Sequence, residues 1–330
     1  MSVLLFLAVI LSIRFGAVSI TLDDMWSSLN KMMTASDNMT LTERIFMDIR
    51  LPRAILCEFV GASLAVGGTL LQALFRNPIV EPGLVGTSCG AAFGAALYFA
   101  LGATFHFSTG QWTLPLAACL GAIVSTSLVF FLSQSRHTGK SSIVSLLLTG
   151  IAINALFLSG VGFLSYIARD PQARSIVFWN LGTLSGASWA SVLVVGISTS
   201  VCVLLALRYA KQLNALMIGE EEAQFLGVDI KKLKWKVLGI NVVMVAVATA
   251  FVGVISFVGL IVPHLLRILK GSDNRFLIIN SAVLGGLLLC VADLLSRMLL
   301  RPAELPIGIV TSIVGVPIFI FLLKKKNYFF

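Results

Sequence analysis

Charged residues are scarce in this sequence: they make up 12% of its 330 residues, whereas soluble domains carry about 25%. Hydrophobic residues make up 58%, and long apolar runs recur along the chain. Such runs are typical of helices that cross a membrane, and the short alternating segments that build a membrane β-barrel are missing. The composition therefore excludes a soluble domain and predicts an all-α, polytopic membrane protein.

Cysteine and histidine are also few. The five cysteines lie in apolar stretches, and no pair has the spacing of a metal-binding or redox motif, so we predict no metal site. We interpret them as small buried hydrophobic residues, which is how buried free cysteine behaves. The net charge of +9 lies mainly in loops, as expected of a membrane protein, and does not indicate nucleic acid binding.

A complete nucleotide-binding motif is missing as well. Gly139, Lys140 and Ser141 match the end of a phosphate-binding P-loop, but Gln134 stands where that motif requires its first glycine. We therefore expect no cofactor on this chain. If ATP drives the protein, ATP and Mg²⁺ are expected to bind to another chain.

One enzyme motif is formally present. Residues 86–90 match the nucleophile motif G-x-S-x-G, but they begin an apolar run, and no histidine lies deep in a predicted span. Gly90 and Gly94 have the GxxxG spacing that lets membrane helices pack closely, which explains the match better. A serine hydrolase is therefore our least favoured alternative.

Ten apolar runs follow one another, and we interpret each as a membrane-spanning helix in one transmembrane domain of residues 1–330. The runs cover residues 2–13, 55–74, 84–107, 114–132, 143–167, 189–207, 237–253, 258–269, 276–295 and 307–323. Ten spans place both termini on one side, together with the polar residues 211–236. Most Lys and Arg lie on that side, which the positive-inside rule assigns to the cytoplasm.

Ionisable residues inside the spans are rare. Only Glu58 and Asp293 lie within apolar runs, and both are near the outer ends. Ion-coupled carriers place such groups in the middle of a span, so this pattern argues against a proton-coupled carrier. A secondary carrier or a channel stays an alternative from hydropathy alone.

The polar segment of residues 211–236 interrupts the apolar pattern. Three glutamates, residues 220–222, favour a helix N-terminus, where the helix dipole stabilises negative charge. Gly227 suits the C-terminal cap of that helix, and Asp229 suits the N-cap of a second helix that carries a run of lysines. The pattern predicts a helix–turn–helix on the cytoplasmic face, although an ordinary amphipathic loop is an alternative.

Four arginines on the opposite side do not follow the positive-inside rule: Arg50, Arg53, Arg297 and Arg301. One interpretation is that their side chains reach from the ends of the spans to the membrane surface. The other is a basic outer rim that docks an acidic partner through charge-assisted pairs.

Six motifs carry a family resemblance. They are Arg-Leu-Pro-Arg at residues 50–53, Leu-Phe-Arg-Asn-Pro at 74–78, Glu-Pro-Gly-Leu-Val-Gly at 81–86, Gly-Glu-Glu-Glu-Ala-Gln-Phe-Leu-Gly at 219–227, Phe-Val-Gly-Leu-Ile-Val-Pro-His at 257–264 and Ala-Glu-Leu-Pro-Ile-Gly at 303–308. In these motifs and in their order, the chain resembles the FecCD family, the permease subunits of ABC importers for iron complexes, haem and cobalamin. Residues 150–155 and 166–189 look most like the haem importers of that family.

This resemblance implies a fold like that of the cobalamin importer permease, a type II ABC importer. It implies a homodimer in the bacterial inner membrane, two ATPase subunits below it and a periplasmic binding protein above it. Haem is the expected cargo, with a ferric siderophore or cobalamin as alternatives.

The resemblance also implies roles for particular residues. It assigns ATPase coupling to Gly219, Glu220, Glu221, Glu222, Ala223, Leu226 and Gly227. Docking of the binding protein is expected at Arg50, Arg53 and Arg297, to which we add Arg301. The translocation path is expected between the two copies at the fifth and tenth spans, near Gly150, Asn154, Pro306 and Gly308. The Asn154 side chain faces either that path or a neighbouring helix.

Overall fold

The computed structural model describes residues 1–330 apart from 17, 35–37, 106–109, 135–142, 302 and 325–330. The described part contains the helices α1 Ser2–Arg14, α2 Leu22–Met33, α3 Leu41–Ile45, α4 Leu51–Leu74, α5 Thr87–Phe105, α6 Thr113–Ser133, α7 Ile143–Ile167, α8 Asp170–Asn180, α9 Trp189–Ile218, α10 Glu220–Phe225, α11 Ile230–Val252, α12 Val258–Lys270, α13 Asn274–Met298 and α14 Ile307–Lys324. A π turn, Phe46–Arg50, joins α3 to α4, and a 3-10 turn, Pro82–Val85, precedes α5. The partial P-loop match at Lys140 lies outside the described residues.

A helix lies at each of the ten predicted spans, which confirms the all-α class. Six of these helices are long and apolar enough to cross a membrane: α4 together with α3, α6, α7, α9, α11 and α13. Within the described residues, α1, α5 and α14 are apolar but shorter, and α12 has only 13 residues. The predicted break between the seventh and eighth spans is present between α11 and α12.

Two spans are longer than predicted. The second begins at Leu41 instead of Ile55, because α3, the π turn and α4 form one continuous helix of 34 residues. Pro52 lies inside this helix, and the widened π turn just before it accommodates the missing N–H group. The sixth ends at Ile218 instead of Leu207, because polar residues continue α9 past the apolar run. Hydropathy therefore located both helices but not their ends.

Helix α4 lies at the centre of the bundle, where it packs against α1, α9, α11, α12 and α13. Two glycines of α4 allow backbones to touch. A Cβ atom at Gly61 would lie 2.2 Å from the carbonyl oxygen of Gly285 on α13, and one at Gly68 would lie 1.7 Å from the carbonyl oxygen of Gly259 on α12. Small residues are the usual means of such close packing between membrane helices.

Buried polar side chains reinforce the packing of α4. The hydroxyl groups of Thr69 and Ser281 lie 2.8 Å apart and join α4 to α13. The side-chain amide of Asn241 donates to the carbonyl oxygen of Gly67 at 2.7 Å and joins α11 to α4. Each polar group therefore has a partner inside the protein, as an apolar environment requires.

The GxxxG spacing at Gly90 and Gly94 also marks a close contact. A Cβ atom at Gly90 would lie 2.3 Å from the carbonyl oxygen of Gly121, and one at Gly94 would lie 2.1 Å from that of Ala117. Both oxygens belong to α6, so the predicted packing of these glycines in a helix pair is confirmed for α5 and α6.

We expect Gly61→Ala to destabilise the protein by about 1–3 kcal/mol, because the added methyl group overlaps the α13 backbone. The measurement is the midpoint of thermal unfolding in detergent. The matched control is Gly239→Ala on α11, where a Cβ atom meets nothing within 4 Å. Equal midpoints for the two variants would contradict the close contact of α4 and α13.

Candidate functional sites at the two ends of the bundle

At the start of α4 and the end of α13, which lie at the end of the bundle predicted to face outward, a buried carboxylate holds two arginines. The Nε and Nη2 atoms of Arg53 donate to one oxygen of Asp293, at 3.0 and 2.9 Å. The Nε atom of Arg297 donates to the other oxygen at 2.9 Å. Asp293 is fully buried, and these two guanidinium groups offset its negative charge inside the protein.

Other N–H groups of Arg297, and those of the neighbouring Arg50, donate to carbonyl oxygens at and just after the end of α1. Arg297 donates to the carbonyl oxygens of Phe15 and Ser12, both at 2.9 Å. Arg50 donates to the carbonyl oxygens of Phe15 at 3.2 Å and Val18 at 3.5 Å. The last carbonyl groups of a helix have no partner within it and carry partial negative charge, which guanidinium groups complement.

A second carboxylate, Glu304, approaches the same cluster from the connection between α13 and α14. Its two oxygens accept from Nη1 of Arg53 at 3.2 and 2.9 Å. The Glu304 side chain is 44% exposed, in contrast to that of Asp293. Arg53 therefore pairs with one buried and one exposed carboxylate at the same time.

Three of the four arginines expected to dock a partner thus lie inside the chain. Arg50, Arg53 and Arg297 are only 8%, 7% and 5% exposed, and each has internal hydrogen-bond partners. Arg301, at the end of α13, is exposed. The structure brings Arg53 and Arg297 together on Asp293, and a docking role for the four residues stays a prediction.

Sequence reasoning did not find this cluster as a unit. Asp293 and Arg297 are four residues apart on one helix, a spacing at which side chains meet. The sequence alone could therefore have predicted this ion pair. Arg53 lies 240 residues before Asp293, and no local pattern connects residues so far apart.

At the opposite end of the bundle, α10, the turn after it and the start of α11 form the predicted helix–turn–helix. Gly227 has a φ of +81° after α10, which suits glycine, and its N–H group donates to the carbonyl oxygen of Gln224 at 2.9 Å. The next N–H group, that of Val228, donates to Ala223 at 2.9 Å. The Asp229 carboxylate accepts from the backbone N–H of Lys232 at 3.0 Å, and this bond lowers the pKa of Asp229. Both predicted caps are confirmed.

Helix α10 presents one buried face and one exposed face. Ala223 is fully buried in the core with Leu213 and Leu233, which fixes α10 against α9 and α11. Glu220 accepts from Lys234 at 2.8 Å. Gly219, at the N-cap, is buried, whereas Glu221 and Glu222 are exposed.

Two large apolar side chains extend from the same short helix and its cap. Phe225 is 90% exposed and Leu226 is 66% exposed. Contact between large apolar surface and water is unfavourable, and a cluster of such side chains marks an interaction surface. The two apolar side chains and the exposed carboxylates of Glu221 and Glu222 together form a surface that can fit a cleft in another protein.

Two of the residues expected along the path lie on α7 but contact neighbouring segments. A Cβ atom at Gly150 would lie 2.2 Å from the carbonyl oxygen of Leu84. The Asn154 amide donates to the carbonyl oxygen of Gly83 at 3.2 Å, and its oxygen accepts from the Cys89 thiol at 2.7 Å. Of the two orientations left open for Asn154, the one toward neighbouring elements is observed.

Pro306 and Gly308 lie where three non-helical stretches of backbone meet. The Gly308 N–H group donates to the carbonyl oxygen of Leu181 at 3.0 Å, and the Thr183 N–H group donates to that of Val252 at 2.8 Å. A Cβ atom at Gly308 would lie 2.4 Å from the Leu181 oxygen. Backbone outside helices is tolerated inside a membrane protein only when it is satisfied in this way.

One further carboxylate, from the motif at residues 81–86, lies inside the bundle. Glu81 precedes the 3-10 turn and lines a small cavity with Leu64 of α4 and Ser256. Pro82, next to it, packs against Gly67 and Gly259. The turn therefore returns the chain to the middle of α4, which local sequence signals could not reveal.

Comparison with known proteins gives consistent matches over almost the whole chain. The model of the FecCD transport family matches residues 4–325. The hemin transport system permease protein HmuU of Yersinia pestis is 38% identical over 327 residues, which cover 98% of this chain and 95% of that protein. The vitamin B12 import system permease protein BtuC of Vibrio vulnificus is 38% identical over 284 residues, which cover 86% of this chain and 84% of that protein.

A solved structure agrees with the sequence matches. It is described as an inward-facing conformation of a transporter assigned to the metal-chelate ABC type, and it superposes with a TM-score of 0.84 at 30% identity. The superposition covers 98% of this chain and 97% of that one. From the family match and the shared fold, the chain belongs to the FecCD transport family and is a multi-pass permease subunit of an ABC importer.

Proposed function

We propose that this permease imports haem, or a related iron complex, across the bacterial inner membrane into the cytoplasm. The observation that carries the cargo assignment is the similarity to the hemin permease over 98% of this chain. The vitamin B12 permease has the same identity over 86%, which makes cobalamin the second candidate. The cargo should bind weakly along the path, because a transporter must release what it carries.

The proposed energy source is ATP hydrolysis on two partner ATPase subunits, which also bind the Mg²⁺. The coupling segment consists of Gly219, Glu220, Glu221, Glu222, Ala223, Leu226 and Gly227, and we add Phe225. Burial of Ala223 and the Glu220–Lys234 ion pair support a rigid attachment to α9 and α11. The exposed Phe225 and Leu226 side chains support insertion into a cleft of the ATPase.

A second copy of this chain is proposed to complete the path. Helices α7 and α14 expose large apolar side chains, among them Phe163 at 63% and Ile313 at 67%. Only 22% of the most apolar stretch of α7 is buried within the chain. We therefore place α7 and α14 at or near the interface between copies, with Gly150, Asn154, Pro306 and Gly308 close to the path.

A periplasmic binding protein is proposed to dock at the outer end, and both termini are proposed to lie in the cytoplasm. Arg50, Arg53, Arg297 and Arg301 make this end basic, which would steer an acidic partner toward it. Because the first three are largely buried, direct contact requires that an internal partner be displaced.

The transport proposal is tested in proteoliposomes that contain the permease and its ATPase, with the binding protein of the same importer added outside. We expect ATP-dependent uptake of haem that exceeds uptake of a ferric siderophore and of cobalamin. Faster cobalamin uptake would overturn the cargo assignment. Uptake by the permease alone under an ion gradient would instead favour a secondary carrier.

The coupling proposal is tested with Phe225→Ala. We expect affinity for the ATPase subunit to fall at least about tenfold, because buried aromatic anchors dominate interface energies, and cargo-stimulated ATP hydrolysis to fall with it. Phe6→Ala on α1 is the matched control, since Phe6 is 66% exposed and lies on another helix. If both variants bind the ATPase like the wild type, Phe225 is not part of the coupling surface.

A further inference from the structure

The two carboxylates that hold Arg53 differ in how easily they can be replaced. Asp293 is fully buried and is shared with Arg297, so its removal would leave two cations without their partner. Glu304 is 44% exposed, and within the described part of the chain its ion pair is with Arg53. If Glu304 turned away, its carboxylate would be hydrated and Arg53 would keep Asp293 as a partner, so this exchange costs less than the loss of Asp293.

An open cavity gives access to this replaceable pair. Its volume is about 260 Å³, and Arg53 and Glu304 form part of its wall. The other lining residues include Phe178 of α8, and Thr183 and Ser185 from the connection that follows α8. The cavity therefore has one cation, hydroxyl groups and an aromatic side chain, which is a suitable environment for a carboxylate on a short aliphatic stem.

The connection that carries Glu304 also controls the start of α14. The Leu305 N–H group donates to the carbonyl oxygen of Ser296 at 3.0 Å, and the Ile307 N–H group donates to that of Gly182 at 3.1 Å. The bond between Glu304 and Arg53 thus ties the beginning of α14 to α4. Loss of that bond would release one of the constraints on α14.

We propose that Glu304 is an internal competitor for Arg53. An acidic side chain of the periplasmic binding protein enters this cavity and replaces the Glu304 carboxylate at Arg53. Asp293 keeps Arg53 oriented during the exchange, so the number of ion pairs at the guanidinium group does not change. Docking is thereby communicated to α14. This inference rests on the proposed docking of a binding protein at the outer end.

The test compares the wild-type complex of permease and ATPase in nanodiscs with its Glu304→Gln variant. The measured quantity is the Kd of the purified binding protein of the same importer. We expect docking to tighten about two- to fivefold in the variant, because the incoming carboxylate no longer competes with the Glu304 carboxylate for Arg53. Glu304→Asp, which keeps the charge on a shorter stem, should give an intermediate value.

Asp170→Asn is the matched control. Asp170 is exposed at the start of α8, and its substitution changes the net charge by the same amount without touching Arg53. Equal tightening in both variants would show that the change in net charge alone causes the effect, and it would overturn the inference. Weaker docking in Glu304→Gln would overturn it too, since Glu304 would then support the docking surface.

Hydrogen exchange provides a second readout for the same proteins. Amide exchange of residues 303–308 should rise when the binding protein docks to the wild type, and should already be high in free Glu304→Gln. Unchanged exchange would overturn the link to α14. Failure of the wild-type complex to dock its binding protein at any salt concentration would instead refute the docking role itself.

Discussion

Hydrocarbon offers no hydrogen-bond partners, and this constraint governs where the chain of this permease departs from helical structure. The connection after α8 donates a backbone hydrogen bond to Val252 at the end of α11 and accepts two from the start of α14. Helix α4 lies beside them and touches α12 and α13 through glycine. Irregular backbone is thus confined to places where other protein atoms surround and satisfy it.

The two ends of the bundle use charge in opposite ways. At the start of α4 and the end of α13, Arg50, Arg53 and Arg297 are buried, and Asp293 and the carbonyl groups at the end of α1 hold them. At the end that carries α10, Phe225 and Leu226 are exposed beside Glu221 and Glu222. One end therefore keeps three guanidinium groups inside the chain, while the other presents both charged and apolar side chains to its surroundings.

The parts that the sequence could predict are those with local causes. Hydropathy located ten helices, because each must be apolar over most of its length, and the caps Gly227 and Asp229 defined the helix–turn–helix. The start of α4 at its π turn and the end of α9 escaped prediction because hydrogen bonding continues a helix beyond its apolar part. The contacts of Arg53 with Asp293 and Glu304 escaped prediction because only the folded chain brings them together.

The length and continuity of helix α9 have a mechanical consequence. It runs without a proline for 30 residues, so its length is about 45 Å. Its inner end leads directly through Gly219 into α10, and its outer end begins at the connection whose backbone bonds to the start of α14. A continuous helix of this length is stiff, so any displacement of α10 along the axis of α9 would also displace the connection at its other end.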